Sequence, residues 1–282
     1  MTTLQEILDH VRGQVEARKG EVSLAELARQ AERLTRPPRR LKHALEAGSS
    51  RGIAVIAELK QASPSKGMIR GSFPVGRLAA SLMQGGASAL SVLTEEKYFH
   101  GSLQNLREAA AATGLPCLRK DFIVDEYQLF EAATNSADAV LLIAAALPDP
   151  EYSILFRRAR ELNLDVLCEV HDEAELARTI AIGAEIIGVN SRDLKTLEID
   201  PENPIRLAGK LPPNAMKVAE SGIKNADEIR RLRAAGYQAF LVGEMLMKED
   251  DPGAVLAQLI AQAKAPPLGS SGVAGWSLGT KD

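Results

Sequence analysis

Glu58 and Lys60 stand two residues apart in AELKQASPSKG (57–67), at the end of an apolar run. In an extended strand that spacing puts both side chains on one face. Lys120, Glu169 and Glu220 close three further runs of the same kind. Ammonium and carboxylate groups at the ends of buried segments are costly unless they are paired or used. A salt bridge between strands accounts for any one pair. Five such groups at one rim would shift one another's proton affinity, which suits general acid–base chemistry.

Two further patterns suit ligand binding. Asn190, in VNSRDL (189–194), ends another run as a neutral donor and acceptor, and Arg192 is either a clamp for a substrate carboxylate or a partner of Asp193. AESGI (219–223) and LVGE (241–244) bring Ser221, Gly222, Leu241, Gly243 and Glu244 to the last two run ends. Glycines there let backbone N–H groups approach an anion, and Ser63 and Ser221 add hydroxyl donors. Ordinary turns use the same residues, but the loops after strands seven and eight are a recurrent phosphate site in barrels. His171 is expected to precede a helix capped by Asp172 and is not assigned to catalysis.

The elements that must position these groups are eight short, β-branched-rich runs: IAVIAELK (53–60), ALSVLT (89–94), PCLRKDF (116–122), AVLLI (139–143), DVLCEV (165–170), EIIGVN (185–190), MKVAES (216–221) and AFLVGE (239–244). Each precedes a segment with helical spacing. Apolar runs alternating with helices read as buried parallel strands, and eight such units most simply close into a (βα)8 TIM barrel with its chemistry at the carboxyl ends of the strands.

The chain of 282 residues fits one such barrel of about 250 residues with extensions. Residues 1–48 are expected to form a helical extension packing on the barrel, residues 49–265 the catalytic barrel, and residues 266–282 a flexible tail carrying Trp276. In the extension, Thr3-x-x-Glu6 and Ser23-x-x-Glu26 have capping-box form. Leu4, Ile7, Leu8, Val11 and Val15 mark one apolar face; Leu24, Leu27, Ala28, Ala31 and Leu34 mark another. Pro37-Pro38 should stop the second helix, and Gly48 should end a third. These helices serve either as an end-plug or as a lid over the site.

With 34 basic and 37 acidic side chains the net charge is −3, which disfavours nucleic acid and anionic membranes as partners. Cys117 and Cys168 fall within expected strands and read as small buried hydrophobes. No Cys/His spacing suggests a metal, no dinucleotide loop is visible, and no cofactor is expected. The amino terminus lacks signal-peptide form and no apolar stretch is long enough to span a bilayer, so the expectation is a cytoplasmic protein, monomeric or weakly dimeric.

In family order, the segments IAELKQASPSKG, SVLTEEKYFHGS, LRKDFIVDEYQ, ADAVLLI, LCEVHDEAEL, IIGVNSRDLKTLEID and VAESGI…LVGEMLM resemble indole-3-glycerol phosphate synthase of tryptophan biosynthesis, over roughly residues 35–250. The helical amino-terminal extension is also a family feature. The resemblance implies conversion of 1-(2-carboxyphenylamino)-1-deoxyribulose 5-phosphate to indole-3-glycerol phosphate, CO2 and water without a cofactor. It implies Lys120 as the acid that protonates the substrate ketone, and Glu169 as a stabiliser of the developing cation or an aid to dehydration. Glu58 becomes a second acid–base group, and Lys60 either binds the departing carboxylate or serves as acid in dehydration. Asn190 and Glu220 orient hydroxyls and lysines. Ser63, Gly222 and Gly243 match the phosphate site with Ser221 beside it, and Phe99 packs on the anthranilate ring. If Lys120 is the acid, the rate should decline on the alkaline side as it loses its proton.

Two departures stand out. Gln61 occupies a position where the family often has Arg, and Ser72-Phe73-Pro74-Val75 replaces the usual Asp-Phe-Asp-Pro. The competing readings are another phosphosugar barrel enzyme, such as phosphoribosylanthranilate isomerase, and a non-catalytic phosphometabolite-binding or engineered barrel. The isomerase wants a Cys/Asp pair, and neither cysteine sits at a suitable strand end. Intact Glu58, Lys60, Lys120 and Glu169 argue against the second.

Overall fold

In the computed structural model, residues 3–34, 39–194 and 196–265 are described. The expected tail and the Pro37-Pro38 stop lie outside them. Eight parallel strands close in sequence order: β1 (Ala54–Leu59), β2 (Ala89–Leu93), β3 (Cys117–Lys120), β4 (Ala139–Ile143), β5 (Asp165–Val170), β6 (Ile186–Asn190), β7 (Met216–Glu220) and β8 (Ala239–Val242). Closure is by β8 pairing with β1, with Ala54 opposite Ala239 and Ala57 opposite Val242. Nearly every strand residue is buried. Helices cover the outside while side chains fill the inside, so both faces select apolar residues and continuous runs replace alternation.

Helices α1 (Leu4–Glu21), α2 (Leu24–Glu32) and α3 (Leu41–Ser50) form the extension. The Thr3 capping box forms in full: the Glu6 backbone N–H donates to Thr3 Oγ1 at 3.2 Å and the Thr3 N–H to Glu6 Oε2 at 2.8 Å. At Ser23 only half forms, because the Glu26 carboxylate is taken by Arg29. All five apolar positions of the first face are buried. On the second face only Leu27 is buried, and Leu34 is 48% exposed.

Helices α1 and α3 pack at opposite ends of the barrel. Leu4 and Ile7 of α1 line the cavity at the carboxyl end of the barrel. Helix α3 lies at the opposite end, with Leu41 and Leu45 fully buried. Gly48 does not stop α3, which continues to Ser50. A Cβ there would clash with Ser88 Oγ and sit 3.0 Å from the Ala54 Cβ, so glycine is needed for close packing against the strand entrances.

The remaining helices are α4 (Val75–Gln84), α5 (Leu103–Ala112), α6 (Glu126–Thr134), α7 (Asp149–Glu161), α8 (Glu173–Ala181), α9 (Asn203–Ala208), α10 (Ala226–Ala234), α11 (Glu244–Met247) and α12 (Pro252–Lys264), with a 3-10 turn at Ala144–Ala146. Asp172 does cap α8, accepting from the Glu175 N–H at 2.8 Å. Both cysteines are buried thiols.

Candidate active site

The carboxyl ends of the strands surround a cavity of about 560 Å³. Glu58, Lys60, Lys120, Glu169, Asn190, Glu220 and Ser221 all line it. Lys60 Nζ lies 2.6 Å from Glu58 Oε1, and Lys120 Nζ lies 3.4 Å from Glu169 Oε2. The other Glu169 oxygen accepts from Asn190 Nδ2 at 2.9 Å. Asn190 Oδ1 accepts from the Arg192 N–H at 2.9 Å, which fixes the amide orientation. Glu220 is buried, and its Oε1 has no hydrogen-bond partner among the described residues.

Burial and charge act in opposite directions on these groups. Burial disfavours the Lys120 ammonium, but the carboxylates of Glu169, Glu220 and Glu58 outweigh it and hold the lysine above its ordinary range. Burial also raises Glu58, yet the Lys60 and Lys120 charges leave it below the usual carboxylate range. Glu220 goes the other way: burial first, then the Glu169 carboxylate, push it well above 4.5, against the pull of Lys120. The site therefore pairs a persistent ammonium at Lys120 with an ionised Glu58 and a carboxyl at Glu220 that resists ionisation. The alkaline limb expected from loss of the Lys120 proton is thereby displaced upward from the ordinary lysine range.

The strand end that carries Lys120 is braced from behind. Arg119 and Asp121 face the opposite side of β3, and Arg119 is fully buried. Its guanidinium donates to the Gln128 carbonyl at 2.7 Å, Glu131 Oε2 at 3.2 Å, Asp121 Oδ2 at 2.9 Å and Thr94 Oγ1 at 3.1 Å. Arg18 of α1 meets the other Glu131 oxygen at 2.9 Å. This charged cluster went unassigned in the sequence, although alternation within RKD already separates Lys120 from its two neighbours.

The other side of the cavity carries the expected anion-binding residues. Ser63 sits in a two-residue hairpin, Ala62–Ser63 paired with Gly67–Met68, and lines the cavity with Lys66. Ser221 and Gly222 both have positive φ, 63° and 75°. For serine this is an uncommon backbone, held where the chain turns at the rim. Gly243 has φ −136°, so a left-handed backbone is not its reason. A Cβ there would meet Glu58 Oε1 at 2.6 Å and Glu58 Cβ at 2.8 Å. Gly243 thus leaves room for Glu58 as well as for any anion.

Leu241, Phe99, Arg192 and Glu244 also line the cavity. Phe99 stacks obliquely on Phe122, with centroids 6.0 Å apart. The Arg192 guanidinium holds the Leu197 carbonyl at 2.8 Å. The Glu244 carboxylate turns to Lys248 at 2.6 Å, which leaves its backbone as the part suited to an anion. Lys66, Lys224 and Lys248 also line the cavity and went unassigned in the sequence; SPSKG already carried the first. His171 holds the Asn190 carbonyl through Nδ1 at 2.9 Å. Gln61, the departure beside Lys60, serves through its carbonyl, which accepts from the Ile69 and Arg70 N–H groups at 2.8 and 3.1 Å. No group of three His, Cys, Asp or Glu among the described residues could hold a metal ion, and no described helix is long and apolar enough to cross a membrane.

A closed parallel barrel with its ionisable groups gathered at the carboxyl ends of the strands has the architecture of a TIM-barrel enzyme. Solved structures with this fold include thiamine phosphate pyrophosphorylase from Pyrococcus furiosus, with TM-score 0.57, 16% identity and coverage of 77% of this chain and 97% of that one. Another is 3-hexulose-6-phosphate synthase from Salmonella typhimurium, with TM-score 0.59, 13% identity and coverage of 75% and 97%. Residues 4–259 match the indole-3-glycerol phosphate synthase family. Relatives bearing that name come from Koribacter versatilis, 51% identical over 92% of this chain and 99% of the relative, and from Mycolicibacterium gilvum, 44% identical over 94% and 96%. The chain belongs to the indole-3-glycerol phosphate synthase family, the carboxy-lyases of tryptophan biosynthesis.

Proposed function

We infer that the chain closes the indole ring of 1-(2-carboxyphenylamino)-1-deoxyribulose 5-phosphate, releasing CO2 and water to give indole-3-glycerol phosphate. The observation that carries the assignment of roles is Lys120 Nζ, half-buried in the cavity wall 3.4 Å from Glu169, with the Glu169 and Glu58 carboxylates favouring its ammonium form. Lys120 donates its proton to the substrate ketone as the ring carbon attacks it. The carbon–carboxylate bond then breaks, and its electron pair restores the aromatic ring. Glu169, oriented by Asn190, stabilises the cationic stage. Lys60, next to Glu58, binds the leaving carboxylate or protonates the hydroxyl that departs as water; either role needs an ammonium group at the mouth. Glu220 acts in its neutral form, orienting substrate hydroxyls. Phe99 and Leu241 pack on the aromatic ring, and Arg192 contacts its carboxylate.

Ser63, the Ser221–Gly222 turn and the backbone at Gly243–Glu244 grip the phosphate, with Lys66 and Lys248 adding positive charge. One phosphate grip would position all the steps in turn. The reading takes the extension and barrel as one catalytic unit, without a cofactor, cytoplasmic and monomeric or weakly dimeric. Adding the carboxyphenylamino-deoxyribulose phosphate and following indole fluorescence tests the activity. Absence of fluorescent product from folded protein would overturn it.

A further inference from the structure

A second, smaller cavity of about 60 Å³ adjoins the acid–base cluster at Glu169. It has room for a short chain of waters. It shares three residues with the main cavity: Ile143, Glu169 and Leu194. Of these only Glu169 can carry a proton. On its far side the small cavity is lined by half-buried His171 and exposed Asp172, with Glu175 and Asp193 beside them. Its lining therefore extends from surface residues to Glu169, whose carboxylate meets Lys120 at 3.4 Å and Asn190 at 2.9 Å.

The reaction read above gives such a passage a task. Ring closure places one proton on the ketone oxygen. Dehydration places a second on the departing hydroxyl and returns one from the neighbouring CH2. The substrate enters as a carboxylate and leaves it as CO2, so each turnover takes one net proton from water. A ligand in the main cavity, under Leu4 and Ile7 of α1, stands between that cluster and the mouth. We propose that the small cavity is the proton-entry route: water within it passes a proton from bulk solvent to Glu169, and Glu169 passes it to Lys120 while product is still bound. This rests on the proposed function and adds a path that the ring chemistry does not itself specify.

Ala145 lines the small cavity but not the main one, so Ala145→Leu fills the passage without touching the substrate site. The experiment is a single turnover with enzyme in excess. Indole fluorescence reports product formation, and a pH indicator in weak buffer reports proton uptake. Product release is timed separately by diluting the preformed complex. In wild type, uptake should keep pace with product formation and precede release. In Ala145→Leu, formation should keep its rate while uptake slows at least about threefold, towards the rate of release. Ala145→Ser, which keeps the passage open and polar, should behave as wild type. Ala145→Val is read by the same criteria if the leucine variant does not fold. Wild-type uptake that already waits for release, or unchanged uptake in the filled variant, would overturn the route. Equal slowing of formation and uptake would also overturn it, since that marks a distorted site. A wild-type enzyme that forms no product would instead refute the assigned reaction, so the two failures are distinguishable.

Discussion

Gly243→Ala separates two reasons for a glycine at the eighth strand end. If the glycine only lets backbone approach a phosphate, one methyl should raise KM and leave stability and kcat alone. The geometry requires more. The new Cβ would lie 2.6 Å from Glu58 Oε1, 2.8 Å from Glu58 Cβ and 3.1 Å from Glu58 Cδ. The Cβ contact is with the root of a side chain on a central strand, so rotation of the carboxylate cannot relieve it. Overpacking of this kind costs about 1–3 kcal/mol. For a domain of this size each kcal/mol is worth about 2–4 °C in Tm. The carboxylate must also leave its 2.6 Å contact with Lys60, so kcat should fall along with the rise in KM. The assay is thermal unfolding beside steady-state kinetics. Glu58→Gly removes the obstructing atoms, so Gly243→Ala on that background should cost much less stability, a coupling that a double-mutant cycle reads directly. Wild-type Tm with only KM altered would refute the Glu58 contact as the reason for the glycine.

Glu220 offers a pH test. Its folded-state proton affinity is raised above the ordinary 4.5, so its contribution to stability is fully present below that value. That contribution is lost as pH rises from there through the raised folded value. Glu220→Gln mimics the neutral carboxyl and should flatten this part of the stability profile, measured by urea midpoints across pH; an unchanged slope would show that Glu220 is ionised in the fold. Pro74 stands at the N-cap of α4 with no side-chain bond to offer. Pro74→Asp should gain about 1 kcal/mol by supplying the missing acceptor, and a urea midpoint at or below wild type would show that the cap is not limiting there.

The barrel was legible because its strands are buried on both faces and therefore read as unbroken apolar runs. The rim residues were legible because ionisable groups end those runs. Other features needed neighbours distant in sequence. Gly48 looks like a helix stop in one dimension and proves to be a packing contact with Ser88 and Ala54. Gly243 looks like an anion contact until Glu58, far away in the chain, is seen across from it. Lys120 ends its run in the sequence, but only the closed barrel shows the Glu169 carboxylate 3.4 Å from its Nζ, which with Glu58 favours the ammonium against burial. The role of α1 could not be separated from that of α3, because an apolar stripe states that it is buried but not at which end. Arg119 is the exception: strand alternation had already turned it away from Lys120.

The central claim is that Lys120 supplies the proton for ring closure, and single-turnover chemistry in Lys120→Met tests it most directly. Methionine keeps length and packing, removes the acid and leaves the Arg119 brace intact. The rate of the chemical step should fall by about 10²–10⁴-fold while the fold persists. Lys120→Arg keeps the charge, but its bulkier, planar guanidinium does not place a proton where the compact ammonium does, so it should recover little of the loss. A Lys120→Met enzyme that forms product within about tenfold of the wild-type single-turnover rate would contradict the account and transfer the role of acid to Lys60.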